Sequence, residues 1–185
     1  GLDQATPLLV GLAFGAYGVT QGILQVPFGM LSDRIGRKPV IMGGLLIFIL
    51  GSVMAAVTDS VYWMIAARFL QGAGAVSSAI FALIADLTRP EVRTRANAFL
   101  GGSIGISFGI AILSAPFLSQ AFGLDGLFWL ISAITIVSMG ILLKGVPKVE
   151  PSSKLVEPES AARMLLTVLK PVSYTHLTLP TTGVV

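Results

Sequence analysis

The sequence has no cysteine, a single histidine and few charged residues. Without cysteine the chain can form neither a disulfide framework nor a thiolate metal site, and we expect no metal or organic cofactor. Charged residues make up 11% of its 185 residues, against roughly 25% in soluble domains. Because so few charges cannot cover the surface of a water-soluble fold of this length, the sequence predicts an integral membrane protein.

Positive charge is also scarce where a nucleic-acid-binding protein would need it. The 12 lysines and arginines form no basic stripe interleaved with aromatic residues, so a net charge of +3 does not indicate a nucleic-acid partner. All of them except Arg68 fall in predicted loops or in the C-terminal tail. What the chain does have is 54% hydrophobic residues and 21 glycines, which is typical of closely packed membrane helices.

Five apolar runs are each long enough to cross a hydrocarbon core of ~30 Å. The sequence therefore predicts an all-α membrane protein. The predicted spans are about 7–31, 39–57, 61–87, 96–121 and 127–143, joined by loops at 29–39 and 89–95 and by a turn at 123–126. Glycines recur at three- and four-residue steps in two of these spans, and such smooth faces predict close helix approach. They are Gly11, Gly15, Gly18 and Gly22 in the first span and Gly101, Gly105 and Gly109 in the fourth.

The cationic residues predict the orientation of the spans. The basic residues next to the spans all fall on one side: Arg34, Arg37, Lys38, Arg89, Arg93, Arg95, Lys144 and Lys148. The opposite loops carry Asp3, Asp59 and Asp125 and neither lysine nor arginine. By the positive-inside rule the basic side faces the cytoplasm. We therefore expect a multi-pass protein of the bacterial cytoplasmic (inner) membrane, with anionic lipid headgroups next to its basic loops.

After Lys144 the composition changes. Residues 145–170 are rich in proline, serine, lysine and glutamate, which is typical of a linker. Within it, residues 157–170 have the apolar spacing of a short amphipathic helix that lies on the membrane surface rather than crossing it. Residues 171–185 have neither charge pattern nor helical period, and we interpret them as a non-native tail. The chain begins with Gly1 rather than methionine, and we expect it to be truncated at its N-terminus.

The charged loop at 29–39 is the strongest local signal. Gly29 offers a smooth contact for a neighbouring helix, and Gly36 permits the positive φ that a tight reversal often needs. Asp33 suits the positive N-terminal end of a nearby helix. Arg37 can hold a carboxylate with two hydrogen bonds, and Lys38 can bind a lipid phosphate. The alternative is a basic loop that only sets the topology.

Arg68 lies about 10 Å below the outer end of the third span, at seven residues and 1.5 Å each. An arginine at mid-membrane costs at least ~2.5 kcal/mol on insertion scales. It therefore either faces a central cavity or reaches back to the interface. Tyr17, Gln21 and Gln25 recur every four residues, so they share one face of the first span. That face either lines a polar path or bonds to a neighbouring helix.

Two strings in the sequence resemble signatures of the major facilitator superfamily. Gly29-x-Leu31-Ser32-Asp33-Arg34-x-Gly36-Arg37-Lys38-Pro39 resembles its loop between the second and third helices, and Arg68-Phe69-Leu70-Gln71-Gly72-Ala73-Gly74-Ala75 is similar to its fourth-helix motif. The residues that flank both strings are most similar to those of the YajR-type, proton-driven and drug-transporter-like bacterial branch. In the fifth-helix region Pro116 matches the antiporter pattern, whereas Ala115, Ser119 and Gln120 stand where that pattern has glycine.

The resemblance implies that the five spans are helices 2–6 of a twelve-helix transporter. The first helix and the C-terminal half of that protein would be missing partners of this chain. It implies a secondary transporter with a small-molecule substrate and protons as partners, in which Arg68, Gln71 and Gly72 take part in coupling. It also implies that Asp86 meets Arg37 in a charge cluster that locks one conformation.

Three alternatives remain open at this point. Asp86 can instead pair locally with Arg89, which lies three residues further along the chain. A non-transporting receptor or scaffold with the same fold fits the same sequence. A membrane enzyme is the third, but the spans hold no histidine and no serine–aspartate arrangement suited to catalysis.

Overall fold

The apolar runs form long helices, which satisfy the backbone polar groups without water. The computed structural model describes residues 6–74 and 76–147, and the elements in these ranges are helices. They are α1 (Pro7–Ile35), α2 (Arg37–Ala56), α3 (Val61–Ala73), α4 (Ser77–Leu87) and α5 (Pro90–Gly145). All five fall within one unit, Gly1–Ser152. Lys148, the predicted linker beyond residue 147, its amphipathic helix and the predicted tail lie outside the described residues.

The predicted loop at 29–39 is almost entirely helical. Helix α1 begins with Pro7 at its first position, where the hydroxyl of Thr6 accepts a hydrogen bond from the Leu9 N–H at 3.4 Å. It continues to Ile35, and α2 begins at Arg37. A single residue, Gly36, makes the reversal with φ 100° and ψ 152°. The prediction of positive φ at Gly36 is confirmed, and that freedom is what makes a longer loop unnecessary.

The third apolar run, predicted as one continuous span over 61–87, forms two helices. α3 ends at Ala73, where the N–H of Gly74 bonds to the carbonyl of Gln71 at 3.0 Å, and α4 begins at Ser77. A Cβ on Gly74 would lie 2.6 Å from the carbonyl oxygen of Gly44 in α2. Hydropathy does not report such a break, because the whole run is apolar enough to span a membrane.

Helix α5 is too long for one crossing. Its 56 residues would extend about 84 Å at 1.5 Å per residue, against a hydrocarbon core of ~30 Å. The backbone breaks at Gly123, with φ 70° and ψ −179°, inside the turn predicted at 123–126. We call residues 90–122 the first arm and residues 124–145 the second arm. The first arm begins at Pro90, so most of the loop predicted at 89–95 is helical.

The packing of the second arm fixes its direction. At one end of α2, Phe128 packs with the cluster Ala55, Ala56, Met64 and Ala67. At the other end, Leu142 and Val146 pack against the cluster Val40, Ile41, Ala79 and Leu83. The second arm therefore runs antiparallel to α2. The first arm begins beside the end of α4, where Arg93 bonds to the Ala85 carbonyl, so the chain reverses between the two arms.

Two predicted glycine faces have no partner in the described part of the chain. A Cβ on any of the seven glycines predicted to pack would meet nothing within 4 Å: Gly11, Gly15, Gly18, Gly22, Gly101, Gly105 and Gly109. Close approach occurs instead at Gly44, Gly51, Gly72 and Gly74, where α3 and the segment after it cross α1 and α2. Four stretches, 7–35, 37–56, 61–87 and 90–145, are long and apolar enough to span a membrane.

Candidate functional site

One end of the helices gathers the basic residues. Arg37 and Lys38 begin α2, Arg93 reaches the end of α4, and Lys144 lies in the last turn of α5. Arg34 lies beside them in the last turn of α1 and is exposed. The opposite end carries Asp59, before α3, and Asp125, after the Gly123 break. The one-sided charge pattern of the sequence is thus one-sided in space.

At this basic end, Arg37 joins three helices. Its Nε donates to Asp86 Oδ2 of α4 at 2.8 Å, and its Nη1 donates to Ser32 Oγ of α1 at 2.7 Å. It also pairs with Asp33, four residues earlier. The Ser32 hydroxyl donates to the Gly29 carbonyl at 2.7 Å, which fixes it as an acceptor for Arg37. We call Ser32, Asp33, Arg37 and Asp86 the signature cluster.

The signature cluster decides between the two partners considered for Asp86. In the described ranges, ion pairs join Arg37 to Asp33 and to Asp86, and Asp86 makes none with Arg89. The Arg37 side chain is only 12% exposed, whereas that of Asp33 is 61% exposed. The pair with Asp86 therefore adds a charged bond to the apolar contact between α2 and α4, and Asp33 adds charge from the solvent side.

Lys38 joins the start of α2 to the end of α5. Its Nζ donates to the carbonyls of Leu143 at 2.9 Å and Val146 at 2.6 Å, at the end of α5. The last carbonyls of a helix carry partial negative charge and lack intrahelical donors, so an ammonium group suits them. Two of the three Nζ donors thus bind backbone of the same chain, and the lipid phosphate expected at Lys38 stays a prediction.

Gly29 lies where α1 meets α4. A Cβ there would lie 3.4 Å from Ser78 Oγ of α4. That hydroxyl in turn donates to the Gln25 carbonyl at 2.8 Å, so α1 and α4 are joined beside Gly29. Within the part of the chain that the structure describes, the side-chain amides of Gln21 and Gln25 make no hydrogen bond. Both residues are half-buried.

In the middle of α3, Arg68 is held on two sides. Its Nη1 donates to Gln71 Oε1 at 2.8 Å. Its Cζ lies 4.9 Å from the centre of the Tyr17 ring and 5.8 Å from that of Phe14, both within the range of a cation–π interaction. The two aromatic residues belong to α1, so the guanidinium group bridges α1 and α3.

Arg68 also lines a cavity of about 410 Å³ between α1, α3 and the second arm of α5. Its lining is otherwise apolar: Val10, Ala13, Phe14, Val61, Met64, Leu124, Leu127, Phe128 and Ile131. The guanidinium group is therefore the charged group at the wall of an apolar space. Arg68 thus lines a space between helices, and the central cavity predicted for it stays a prediction.

The other residues predicted to take part in coupling, and Tyr17 of the predicted polar path, lie outside the wall of this cavity. Gln71 is 1% exposed and Gly72 is buried, and neither contributes to the cavity wall. A Cβ on Gly72 would collide with the Tyr17 carbonyl and lie 3.0 Å from Thr20 Cβ. Gly72 is glycine because α3 meets the backbone of α1 there. Tyr17 reaches the site by its ring over Arg68, not as part of the wall.

Sequence reasoning missed Ser52 and Phe14. Ser52 is fully buried and accepts a hydrogen bond from Gln71 Nε2 at 2.7 Å, across the contact of α2 with α3. Its signal is the pair Gly51-Ser52, a small polar step in an otherwise apolar helix. Phe14 lies three residues before Tyr17, on the same face of α1.

Comparison with known proteins gives the family. The model of the Major Facilitator Superfamily matches residues 3–181. The inner membrane transport protein YajR of Escherichia coli K12 is 48% identical over 146 residues, which are 79% of this chain and 32% of that protein. An uncharacterized transporter of Buchnera aphidicola (subspecies Schizaphis graminum) is 41% identical over 146 residues, covering 79% and 37%.

Multidrug resistance protein D of E. coli K12 is 39% identical over 95 residues, half of this chain and 24% of that protein. The chain spans about a third of the length of the first two relatives. The first two relatives are named as a transport protein and a transporter, which decides against the membrane-enzyme alternative. The helices, the signature cluster and the family match together show that the chain belongs to the Major Facilitator Superfamily.

Proposed function

We propose that this chain is part of a proton-coupled secondary transporter that exports small molecules by alternating access. In such a cycle two halves rock about a site near the bilayer midplane. The observation that carries the proposal is Arg68, a guanidinium group fixed at the wall of an apolar cavity inside a membrane span. A relative named as a multidrug resistance protein supports drug-like substrates.

The cost of Arg68 argues for a function. A charged side chain within the bilayer costs at least ~2.5 kcal/mol on insertion scales, and such residues mark substrate or proton pathways. No carboxylate of residues 6–74 or 76–147 pairs with it. Gln71 takes one of its five N–H donors. The other donors are suited to a substrate or to an acidic group that carries the coupled proton.

The signature cluster supplies the conformational part of the proposal. Arg37 ties α1, α2 and α4 together at the basic end through Asp33, Ser32 and Asp86. These bonds stabilise one arrangement of the cytoplasmic ends, and breaking them favours another. We place this end in the cytoplasm and the protein in the bacterial inner membrane, with Arg34 near anionic lipid headgroups.

The test uses a hybrid in which residues 1–147 replace the matching part of E. coli YajR. In everted membrane vesicles, a fluorescent pH probe reports proton movement when ethidium and other cationic drugs are added. We expect Arg68→Ala to abolish proton movement while the hybrid stays in the membrane at its usual level. Arg95→Ala is the matched control, because Arg95 is exposed at the start of α5.

Two outcomes would count against the proposal. Normal drug-coupled proton movement with Arg68→Ala would remove Arg68 from the coupling path. An unchanged hybrid that reaches the membrane but moves no compound, with or without a proton gradient, would favour the receptor or scaffold alternative.

A further inference from the structure

A hydrogen-bonded chain runs from Arg68 across the contact between α3 and α2. Arg68 Nη1 donates to Gln71 Oε1 at 2.8 Å, Gln71 Nε2 donates to Ser52 Oγ at 2.7 Å, and Ser52 Oγ donates to the Phe48 carbonyl at 2.8 Å. Ser52 is 0% exposed and Gln71 is 1% exposed, so water does not compete for these bonds. We call Gln71 and Ser52 the strut.

The hydrogen-bond donors and acceptors permit only one orientation of the Gln71 amide group. Arginine only donates, so the amide oxygen of Gln71 must face Arg68 and its NH₂ group must face Ser52. Ser52 then accepts from the amide and turns its own hydrogen to the Phe48 carbonyl. Removing the Ser52 hydroxyl leaves a buried amide N–H without this partner, and the side chain of Gln71 can regain one only by turning away from Arg68.

Close helix contacts at two glycines restrict the movement of the strut. A Cβ on Gly51 would lie 2.6 Å from the backbone nitrogen of Gln71 and 2.9 Å from the Ala67 carbonyl. Gly72 meets the backbone of α1 on the other side of α3. Gln71 therefore lies where α3 is pressed between α1 and α2, and its χ angles have little freedom to change. An arginine anchored there has a defined direction.

We infer that Ser52 and Gln71 are positioning residues, which fix the Arg68 guanidinium over the Tyr17 ring and towards the apolar cavity. The inference rests on the proposed function of Arg68, which it deepens. Ser52 touches neither the guanidinium nor the cavity wall and acts through Gln71. Helix α2 thereby supports the position of Arg68 through the hydroxyl group of Ser52.

The test measures the exposure of Arg68 itself. The whole chain is placed in E. coli membrane vesicles and treated with phenylglyoxal, and mass spectrometry gives the labelling rate of Arg68. We expect Ser52→Ala to raise that rate about fivefold, the factor for one net hydrogen bond of about 1 kcal/mol. Gln71→Met, of similar size but without the amide, raises it at least as much. Arg89 and Arg93 serve as internal references in every sample.

Ser132 offers a matched control. It is 2% exposed, and its hydroxyl bonds within its own helix to the Phe128 carbonyl at 2.9 Å. Ser132→Ala should leave Arg68 labelling unchanged. The double variant Ser52→Ala with Gln71→Met should label no faster than Gln71→Met alone, because Ser52 acts through Gln71.

The outcomes separate the inference from the proposed function. Equal labelling of Arg68 in the unchanged chain and in Ser52→Ala would overturn the strut, whatever transport shows. Additive effects in the double variant would mean general loosening of the α2–α3 contact, and would also overturn it. If Gln71→Met fails to reach the membrane, the comparison of Ser52→Ala with Ser132→Ala decides. Transport that survives Arg68→Ala would instead refute the proposed function and leave the strut standing.

Discussion

Replacing Gly72 by alanine tests how α3 is placed against α1. A Cβ at this position would collide with the carbonyl oxygen of Tyr17 and lie 3.0 Å from Thr20 Cβ and 3.2 Å from the backbone nitrogen of Gln21. Ordinary contacts between such atoms lie at 3.4–4 Å. Two of the three opposing atoms belong to the backbone of α1, so no side-chain rotation can relieve them. The helices must move apart by about 1 Å.

The expected cost follows from this overlap. Inserting a methyl group into a closely packed contact typically costs about 1–3 kcal/mol. Alanine in a helix interior returns up to about 1 kcal/mol relative to glycine. Because the opposing backbone atoms cannot turn away, the upper part of the first range applies, about 2–3 kcal/mol, and we expect Gly72→Ala to destabilise the fold by about 1–2 kcal/mol net. For a chain of this size, that lowers the melting temperature by about 2–8 °C.

The assay is thermal melting in lipid nanodiscs, followed by the fluorescence of the two tryptophans, Trp63 and Trp129. Gly18→Ala is the control, because a Cβ on Gly18 meets nothing within 4 Å while the helix propensity gain is the same. We expect Gly18→Ala to melt at the usual temperature or slightly above it. Equal melting of both variants would refute the close contact of α3 with α1 at Gly72.

Three further predictions concern the basic end. Because the chain has no native cysteine, Asp59→Cys should react with a membrane-impermeant maleimide in intact cells, and Arg89→Cys only in opened cells; the reverse pattern would invert the proposed topology. Arg37→Asp or Asp86→Arg alone should impair transport by the YajR hybrid, and the two together should restore at least part of it. No recovery would argue against their pairing as a functional lock. Lys38→Met should lower the melting temperature by about 2–4 °C, as expected for about 1 kcal/mol, and an unchanged melt would show that the bonds to the end of α5 add no stability.

The signature cluster was partly predictable from the sequence. The resemblance of residues 29–39 to a family signature pointed to the pair of Arg37 with Asp86, and the structure brings them to 2.8 Å. The residues alone could not choose between Arg37 and Arg89, because the first distance depends on how α4 is rotated against α2 and the second on how the chain leaves α4. Ser32 stood in the same string, but nothing local marks its hydroxyl as an acceptor for Arg37.

Some expectations failed for physical reasons that hydropathy does not contain. A loop was predicted at 29–39, but the reversal takes only one residue, because Gly36 alone supplies the required φ. Lys38 binds two carbonyls at the end of α5, more than 100 residues later, and no local pattern of the sequence indicates those bonds. Glycine periodicity selected faces of α1 and α5 that no described helix covers, while the contacts fall at Gly51 and Gly72.

The sequence by itself determined the membrane environment, the approximate places of the helices, the one-sided charge and the reversal at Gly36. These depend on hydropathy, charge and φ, which are properties of short stretches of chain. Only the tertiary structure decided that Lys38 binds the end of α5, that Gly72 is a contact rather than a cavity residue, and that Ser52 supports Arg68 through Gln71. Those facts depend on how each helix is rotated and shifted against its neighbours, and that arrangement is set by packing between residues far apart in the chain.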